Sequence, residues 1–295
     1  MVKKIADLYL DTRRTFAQHE DQQTASLLAR NLLCHVTGEN YESLMAKREM
    51  YASQETCQAM DYAVDRVVRG EPLAYVLGEW DFYGMSLYVD SNVLIPRDDT
   101  CAVTSLAIKQ ALYLDVSPRI LDLCTGSGCI GLAVASHVKD ARVTLADISP
   151  EAMAVAKKNI QRHKLGGRVS CVCVDALSTP PSFIGKFDMI VSNPPYVTTD
   201  EMEALDASVK EFEPHLALHG GTDGLDFYRA IVRNFSAALK PQGYMCLEFG
   251  MGQGDDVCKI LEENQYNILD RTMDYNNRER AVLAQYSRKD DQNGY

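Results

Sequence analysis

Two short runs carry residues whose types and spacing could do chemistry. The first is Asp122-Leu123-Cys124-Thr125-Gly126-Ser127-Gly128-Cys129-Ile130-Gly131, which contains the spacing Gly-x-Gly-x-x-Gly. Glycines so placed let a strand turn sharply into a helix, bring backbone close to a ligand and leave free N–H groups at the helix start. Asp122 precedes the loop, where a carboxylate can receive an amino group. Asp147 lies 19 residues past Gly128, at the spacing where an acid accepts both hydroxyls of a ribose. A nicotinamide dinucleotide satisfies the second placement. A carboxylate just ahead of the loop suits S-adenosylmethionine better, because its methionine end carries an ammonium.

The second run, Ser192-Asn193-Pro194-Pro195-Tyr196, directly follows the apolar stretch Phe187–Val191. Two consecutive prolines fix φ twice and remove two N–H donors. The Pro194 carbonyl and the side-chain oxygen of Asn193 then form a rigid acceptor pair matched to a planar NH₂ group. Tyr196 is expected to supply a flat wall for a planar substrate. This run favours S-adenosylmethionine over the dinucleotide, since it adds a place for the nitrogen that would be methylated.

These residues need elements to hold them. From residue 1 to 77 there are only two glycines, Gly38 and Gly70, and apolar residues recur at helical spacing. Cys57, Met60, Val64, Val67 and Val68 form one stripe over about Ser53–Arg69, and Ala25, Leu28 and Leu32 form another. This predicts a helical domain of four or five helices, broken at Gly70-Glu71-Pro72. Alternation from Gly78 to Val89 predicts a β-hairpin, taken as a linker over residues 78–95. From residue 96 to 295 the chain alternates strand and helix signals, as a doubly wound parallel sheet does. Strands are expected at Arg119–Leu123, Arg142–Ala146, Val169–Val174, Phe187–Val191 and Tyr244–Phe249. Helices are expected at Ile130–Lys139, Pro150–Lys164, Leu225–Leu239 and Gly254–Glu263. Ile268–Met273 and Arg280–Ala284, parted by Asn276-Asn277, predict a closing antiparallel pair. Met202–Val209 is expected to form a flap helix, and the polar tail Lys289–Tyr295 to fray.

Composition narrows the partners. Acidic residues outnumber basic ones, 41 to 30, so a phosphate backbone should be repelled. No apolar run approaches the ~20 residues that span a bilayer. Nine cysteines without staple spacing point to reduced thiols and a cytoplasmic setting. Cys171 and Cys173 share a strand face but lack a second pair for zinc, so no metal is expected. His215 and His219 have no Glu between them and read as a loop beside the site. Arg278 and Arg280 read as a hairpin face, solvated or meeting an acidic partner.

Together these motifs resemble the Rossmann-like, seven-stranded methyltransferases that act on planar nitrogen. The wider chain resembles the release factor glutamine methyltransferases, through Gly70-Glu71-Pro72-Leu73-Ala74-Tyr75-Val76-Leu77-Gly78, Val93-Leu94-Ile95-Pro96-Arg97, Glu213-Pro214, Gly220-Gly221-Thr222-Asp223-Gly224-Leu225, Leu247-Glu248-Phe249-Gly250 and Asp274–Arg280. The resemblance implies S-adenosylmethionine as cofactor and, as substrate, the glutamine of the Gly-Gly-Gln loop in peptide chain release factors. It implies a cofactor site of Asp122, Cys124, Thr125, Gly126, Ser127, Gly128, Asp147, Asp175, Ala176 and Asn193. It places the substrate amide on Asn193, Pro194, Pro195 and Tyr196, and substrate recognition on residues 1–77. A monomer that binds neither nucleic acid nor membrane is expected. The rival readings are a glutamine methyltransferase of a large-subunit ribosomal protein, a DNA adenine methyltransferase, and a cofactor-binding regulator with a dead site. Three positions depart from the family pattern. Cys124 replaces a glycine and is expected to do without a positive φ, Ala176 replaces an aromatic residue, and Cys101 replaces a glutamate.

Overall fold

The computed structural model describes residues 2–114 and 117–287; the tail expected to fray, Lys289–Tyr295, lies outside them. Two compact units divide the chain, Met1–Glu79 with Ala207–Phe212, and Trp80–Asp206 with Glu213–Tyr295.

The first unit contains α1 (Ile5–Phe16), α2 (Gln22–Thr37), α3 (Tyr41–Ala46), α4 (Gln54–Val68) and α5 (Leu73–Leu77). Local chemistry sets the ends. The Asp21 side chain accepts from Gln23 and Thr24 N–H at the start of α2, and Ser53 accepts from Thr56 N–H at the start of α4. Such caps satisfy amides that no helical carbonyl can reach. Gly38, left-handed at φ +68°, closes α2. Leu8, Phe16, Leu32, Leu33, Leu44 and Met60 form the buried centre. The expected stripe on α4 holds at Cys57 and Met60, whereas Val68 is exposed.

In the second unit β1 (Glu79–Phe82) and β2 (Met85–Tyr88) form the hairpin. It is more than a linker, because Phe82, Met85 and Leu87 enter the main core of this unit. Asn159, fully buried, fastens it: its side chain accepts from Tyr88 N–H and donates to the carbonyls of Tyr88 and Ser127. The chain continues through α6 (Cys101–Ala111), β3 (Arg119–Leu123), α7 (Cys129–His137), β4 (Arg142–Asp147), α8 (Pro150–Arg162), β5 (Val169–Cys173) and β6 (Phe187–Ser192). The segment expected to form a flap gives two short helices, α9 (Thr199–Ala204) in this unit and α10 (Ala207–Phe212), which belongs to the first unit. The expected single helix over Met202–Val209 is interrupted because Leu205 turns extended, with ψ 149°. Then come α11 (Asp226–Phe235), β7 (Leu239–Glu248), α12 (Gly254–Glu263), β8 (Tyr266–Met273) and β9 (Glu279–Tyr286).

The seven strands run in the order β5-β4-β3-β6-β7-β9-β8. β3 to β7 pair in parallel, and β9 is antiparallel to both neighbours. This is the doubly wound α/β sheet that the alternation predicts. Alternate strand residues feed two cores: Ile120, Val143 and Val191 meet α6, α7 and α8, while Leu121, Ile190 and Leu247 meet α11 and α12. A sheet covered on both faces needs apolar residues at nearly every position, which is why its strands read as continuous apolar runs. Strand order reverses at β3, so the crevice between β3 and β6 is the switch point where such sheets bind ligands.

Candidate active site

Register decides which side chains meet. Leu123 pairs with Ala146 on one side and Ser192 on the other, and Ser192 pairs with Leu247. The strands therefore end level, and the next residues along, in sheet order Asp147, Cys124, Asn193 and Glu248, form a row across four strands. Neighbouring strands lie about 4.8 Å apart, so each member of the row is one step from the next.

A cavity opens over this row. Its wall includes Cys124, Thr125, Gly126, Ser127, Asp147 and Asn193, with Asp175, Ala176 and Pro195 beside them. Gly126, at φ +54°, faces open space where a side chain would stand. Thr125 N–H donates to the Ala146 carbonyl at 3.0 Å, which fixes the loop to the end of β4. Gly128, left-handed at φ +86°, starts α7 just behind the wall. A Cβ on Gly131 would stand 2.3 Å from Leu145 and 2.9 Å from Asp122, so the third glycine serves close packing of helix on strand.

Two expectations about this loop need correcting. Cys124 adopts φ +58°; the backbone keeps the left-handed turn and the cysteine tolerates it, at a cost of about 1–2 kcal/mol. Asp122 does not reach the cavity. It is fully buried, its Oδ2 accepts from Thr125 Oγ1 and Gly131 N–H, and Oδ1 has no partner among the described residues. Burial pushes its carboxyl up to about 7. Asp122 shapes the loop and makes no direct contact with the cavity's contents.

Asp147 does face the cavity. It accepts from Gly126 N–H at 2.9 Å and Ser149 N–H at 3.0 Å, and each oxygen retains a lone pair for a hydroxyl. Burial raises its pKa, although these backbone bonds oppose the rise. Farther along the wall, Asp175 is turned back on its own chain, accepting from Leu177 N–H and Ser178 Oγ. Ala176 has no ring to offer; Ile148, Leu177 and Phe227 are apolar groups in the same cavity wall.

At the end of β6, Asn193 lines the cavity, and its Nδ2 donates to Thr100 Oγ1 at 3.2 Å. Its Oδ1 and the Pro194 carbonyl accept no hydrogen bond among the described residues. Both remain available as acceptors. Pro195 lines the cavity, whereas Pro194 and Tyr196 do not. The Tyr196 ring lies against Gly250, where a Cβ would come within 2.9 Å of it, and burial raises its hydroxyl pKa. The expected wall is thus a packed ring behind the run. Gly220 and Gly224 press on the same backbone; a Cβ on Gly224 would meet the Tyr196 carbonyl at 2.4 Å.

Further groups around the row went unassigned in the sequence. Glu213 binds the Arg97 guanidinium and Ile95 N–H, which ties Val93–Arg97 down beside the cavity. Glu248 is 1% exposed, next to Thr100 and Asn193. Arg280, expected on a hairpin face, is buried and pairs with Asp99 at 2.9 Å and Asp274 at 3.2 Å. His219 bonds Thr199 Oγ1 at 3.0 Å, in a segment whose Pro214, Leu216 and Ala217 line the cavity. No cluster of His, Cys, Asp and Glu among the described residues could hold a metal ion. All nine cysteines are free thiols, and no described helix is long and apolar enough to cross a membrane.

Two family models match the chain, the methyltransferase small domain over residues 100–222 and the PrmC N-terminal domain over residues 7–78. A release factor glutamine methyltransferase from Clostridium acetobutylicum is 37% identical over 86% of this chain and 88% of its own. One from Geobacter sulfurreducens is 35% identical over 92% of this chain and 94% of its own. The crystal structure of a methyltransferase from Pyrococcus furiosus, 15% identical, superposes with a TM-score of 0.50 over 76% of this chain and 98% of that one, and shares the fold. With identity at this level along nearly the whole length, the chain belongs to the family of release factor glutamine methyltransferases.

Proposed function

We propose that the chain transfers a methyl group from S-adenosylmethionine to the side-chain amide nitrogen of the glutamine in the Gly-Gly-Gln loop of peptide chain release factors. The observation that carries this reading is Asn193, which lines the cavity with its NH₂ committed to Thr100 and its oxygen free. The residues fit the cofactor. The open face of Gly126 makes room for close approach, Asp147 offers carboxylate oxygens to ribose hydroxyls, and Ile148 and Leu177 offer apolar surface to a flat base. S-adenosylmethionine supplies, when bound, an electrophilic methyl on a positively charged sulfur.

The chain's own groups do the rest. An amide nitrogen attacks poorly because its lone pair is delocalised into the carbonyl. Asn193 Oδ1 and the Pro194 carbonyl accept its two N–H groups, which fixes the plane of the amide and aims the nitrogen into the cavity. Orientation of this kind contributes several kcal/mol. As the nitrogen is alkylated its remaining protons become acidic, so no basic side chain is assigned. Adenine presents the same NH₂ geometry, and two similar planar groups are separated only weakly by one acceptor pair. Selection of the partner is therefore placed on residues 1–77.

The test is methyl transfer from labelled S-adenosylmethionine to intact release factor, a large-subunit ribosomal protein and duplex DNA in parallel. Label on the release factor glutamine is expected. Asn193→Ala should cut single-turnover transfer by about a hundredfold and leave S-adenosylhomocysteine affinity within about threefold. Transfer to ribosomal protein or DNA with release factor untouched overturns the reading, as does an active Asn193→Ala.

A further inference from the structure

We infer that Glu248, acting through Thr100, is a positioning residue that fixes which way the Asn193 amide points. This rests on the methyl-transfer reading above and names a further part of the same site. Ser192 and Leu247 are register partners on β6 and β7, so Asn193 and Glu248 leave adjacent strands at the same level. Thr100 and Asn193 both stand beside the Glu248 carboxyl, and Asn193 Nδ2 donates to Thr100 Oγ1 at 3.2 Å.

An asparagine amide can turn over with little change in shape, exchanging oxygen for NH₂. A threonine hydroxyl cannot prevent this, because it donates or accepts equally well. An ionised carboxylate only accepts. Beside it the Thr100 hydroxyl must donate, its lone pair is then left to accept from Asn193 Nδ2, and Asn193 Oδ1 is held toward the substrate. The relay has a direction because one end is an acceptor alone.

Glu248 has no evident structural use to explain its place. It is 1% exposed, and its Oε2 has no partner among the described residues. The neighbouring Arg280 directs its terminal nitrogens to Asp99, Asp274 and the Phe249 carbonyl, and its Nε has no partner among the described residues. A buried carboxyl that lacks a salt bridge is expensive to keep.

The same burial makes the relay sensitive to pH. Burial pushes Glu248 up to about 8; bonds from Thr100 and Asn193 and the charge of Arg280 pull it down, and Asp99 raises it. Tyr196, Tyr228, Cys101 and Cys129 also face this carboxyl, but burial raises their pKa values and keeps them neutral across this range. Protonated Glu248 can donate to Thr100 and let the relay reverse. Transfer should therefore quicken as pH rises through about 8.

The experiment measures single-turnover methyl transfer to intact release factor from about pH 6.5 to about 9.5, together with S-adenosylhomocysteine affinity by calorimetry. The substitution Glu248→Gln keeps the shape but offers donor and acceptor alike. It should slow transfer at least about tenfold at the alkaline end, flatten the pH profile and leave affinity within about threefold. Thr100→Ser keeps a hydroxyl and should stay within about threefold of wild type, whereas Thr100→Val should fall as Glu248→Gln does. A Glu248→Gln variant with the wild-type rate and slope overturns the inference. So does loss of affinity in step with rate, which marks a structural role, or equal rates for Thr100→Ser and Thr100→Val. If wild type transfers no methyl to release factor while binding S-adenosylhomocysteine, it is the proposed function that fails.

Discussion

Cys124 holds a left-handed backbone at φ +58° in a loop whose other turns, at Gly126 and Gly128, are made by glycine. Replacing it with glycine removes the clash between Cβ and carbonyl but frees the unfolded chain. Cys124→Gly should therefore be neutral or stabilising by up to about 1 kcal/mol, read from a urea midpoint, and should leave S-adenosylhomocysteine affinity unchanged. A clear loss of stability would mean that the thiol's packing outweighs the strain. Asp147→Ala belongs to the other class. It removes a charged acceptor from the cavity wall and should weaken S-adenosylhomocysteine by about 1.5–3 kcal/mol, ten- to a hundredfold; calorimetry that finds no change removes Asp147 from the ribose site. Residues of this kind were legible in the sequence because their spacing is local: Asp122 to Gly131 is one turn, and Asn193 to Tyr196 another. Glu248 was not. Leu247-Glu248-Phe249-Gly250 reads as a strand end, and only pairing of β6 with β7 brings its acid beside Asn193.

At the scale of elements, the sheet strands and the helices that follow them were predictable to within a few residues, apart from an earlier start to β7. Apolar runs bounded by Gly, Pro and Asp leave little choice. α6 escaped because Ala102, Val103, Leu106, Ala107 and Ile108 bury nearly all its sides, which erases the stripe that marks a surface helix. The flap was misread for a different reason. Its α9 segment, Thr199-Asp200-Glu201-Met202-Glu203-Ala204, buries no residue, and a capping box at Thr198 fixes its start; helices without a buried face give no pattern to follow. What the Gly220–Gly224 loop does is visible only in space, where Gly224 stands against the Tyr196 carbonyl at φ +72°. Gly224→Ala is strained in backbone and would also push Asn193–Tyr196 out of place. Transfer should drop at least about tenfold, as misplacement near 1 Å can do, while S-adenosylhomocysteine affinity holds. Equal loss of both in a calorimetric and single-turnover comparison would show that the loop supports the whole cavity.

At the scale of the molecule, the level row of strand ends, with Asp122 just behind it, gathers carboxyls that burial keeps from ionising easily. Asp122 is pushed up to about 7 and Glu248 to about 8, and Asp147 is also raised. An unfolded chain would release those protons near the ordinary values of 3.8 for Asp and 4.5 for Glu. Between roughly pH 4 and pH 8 the folded chain therefore holds protons that the unfolded chain has lost, and stability falls as pH rises across that window. Exposed carboxylates held low by their hydrogen bonds, Asp21, Glu39 and Asp223, act in the opposite direction. Their contribution is present above the ordinary carboxyl range and fades below about pH 4. The chain should accordingly be most stable in mildly acidic solution, although its transfer rate is expected to rise toward alkaline pH. The site needs Glu248 ionised, and the fold prefers it neutral. Trp80, the one tryptophan of the chain, lies on β1 of the sheet-bearing unit, so its fluorescence in urea reports on that unit. The midpoint should decline from about pH 5 to about pH 9, and Glu248→Gln should flatten the decline at the alkaline end because a neutral amide has no proton to lose. A variant whose midpoint falls as steeply as wild type would show that Glu248 ionises at its ordinary pH, and the stability conflict would then rest on Asp122 and Asp147 alone.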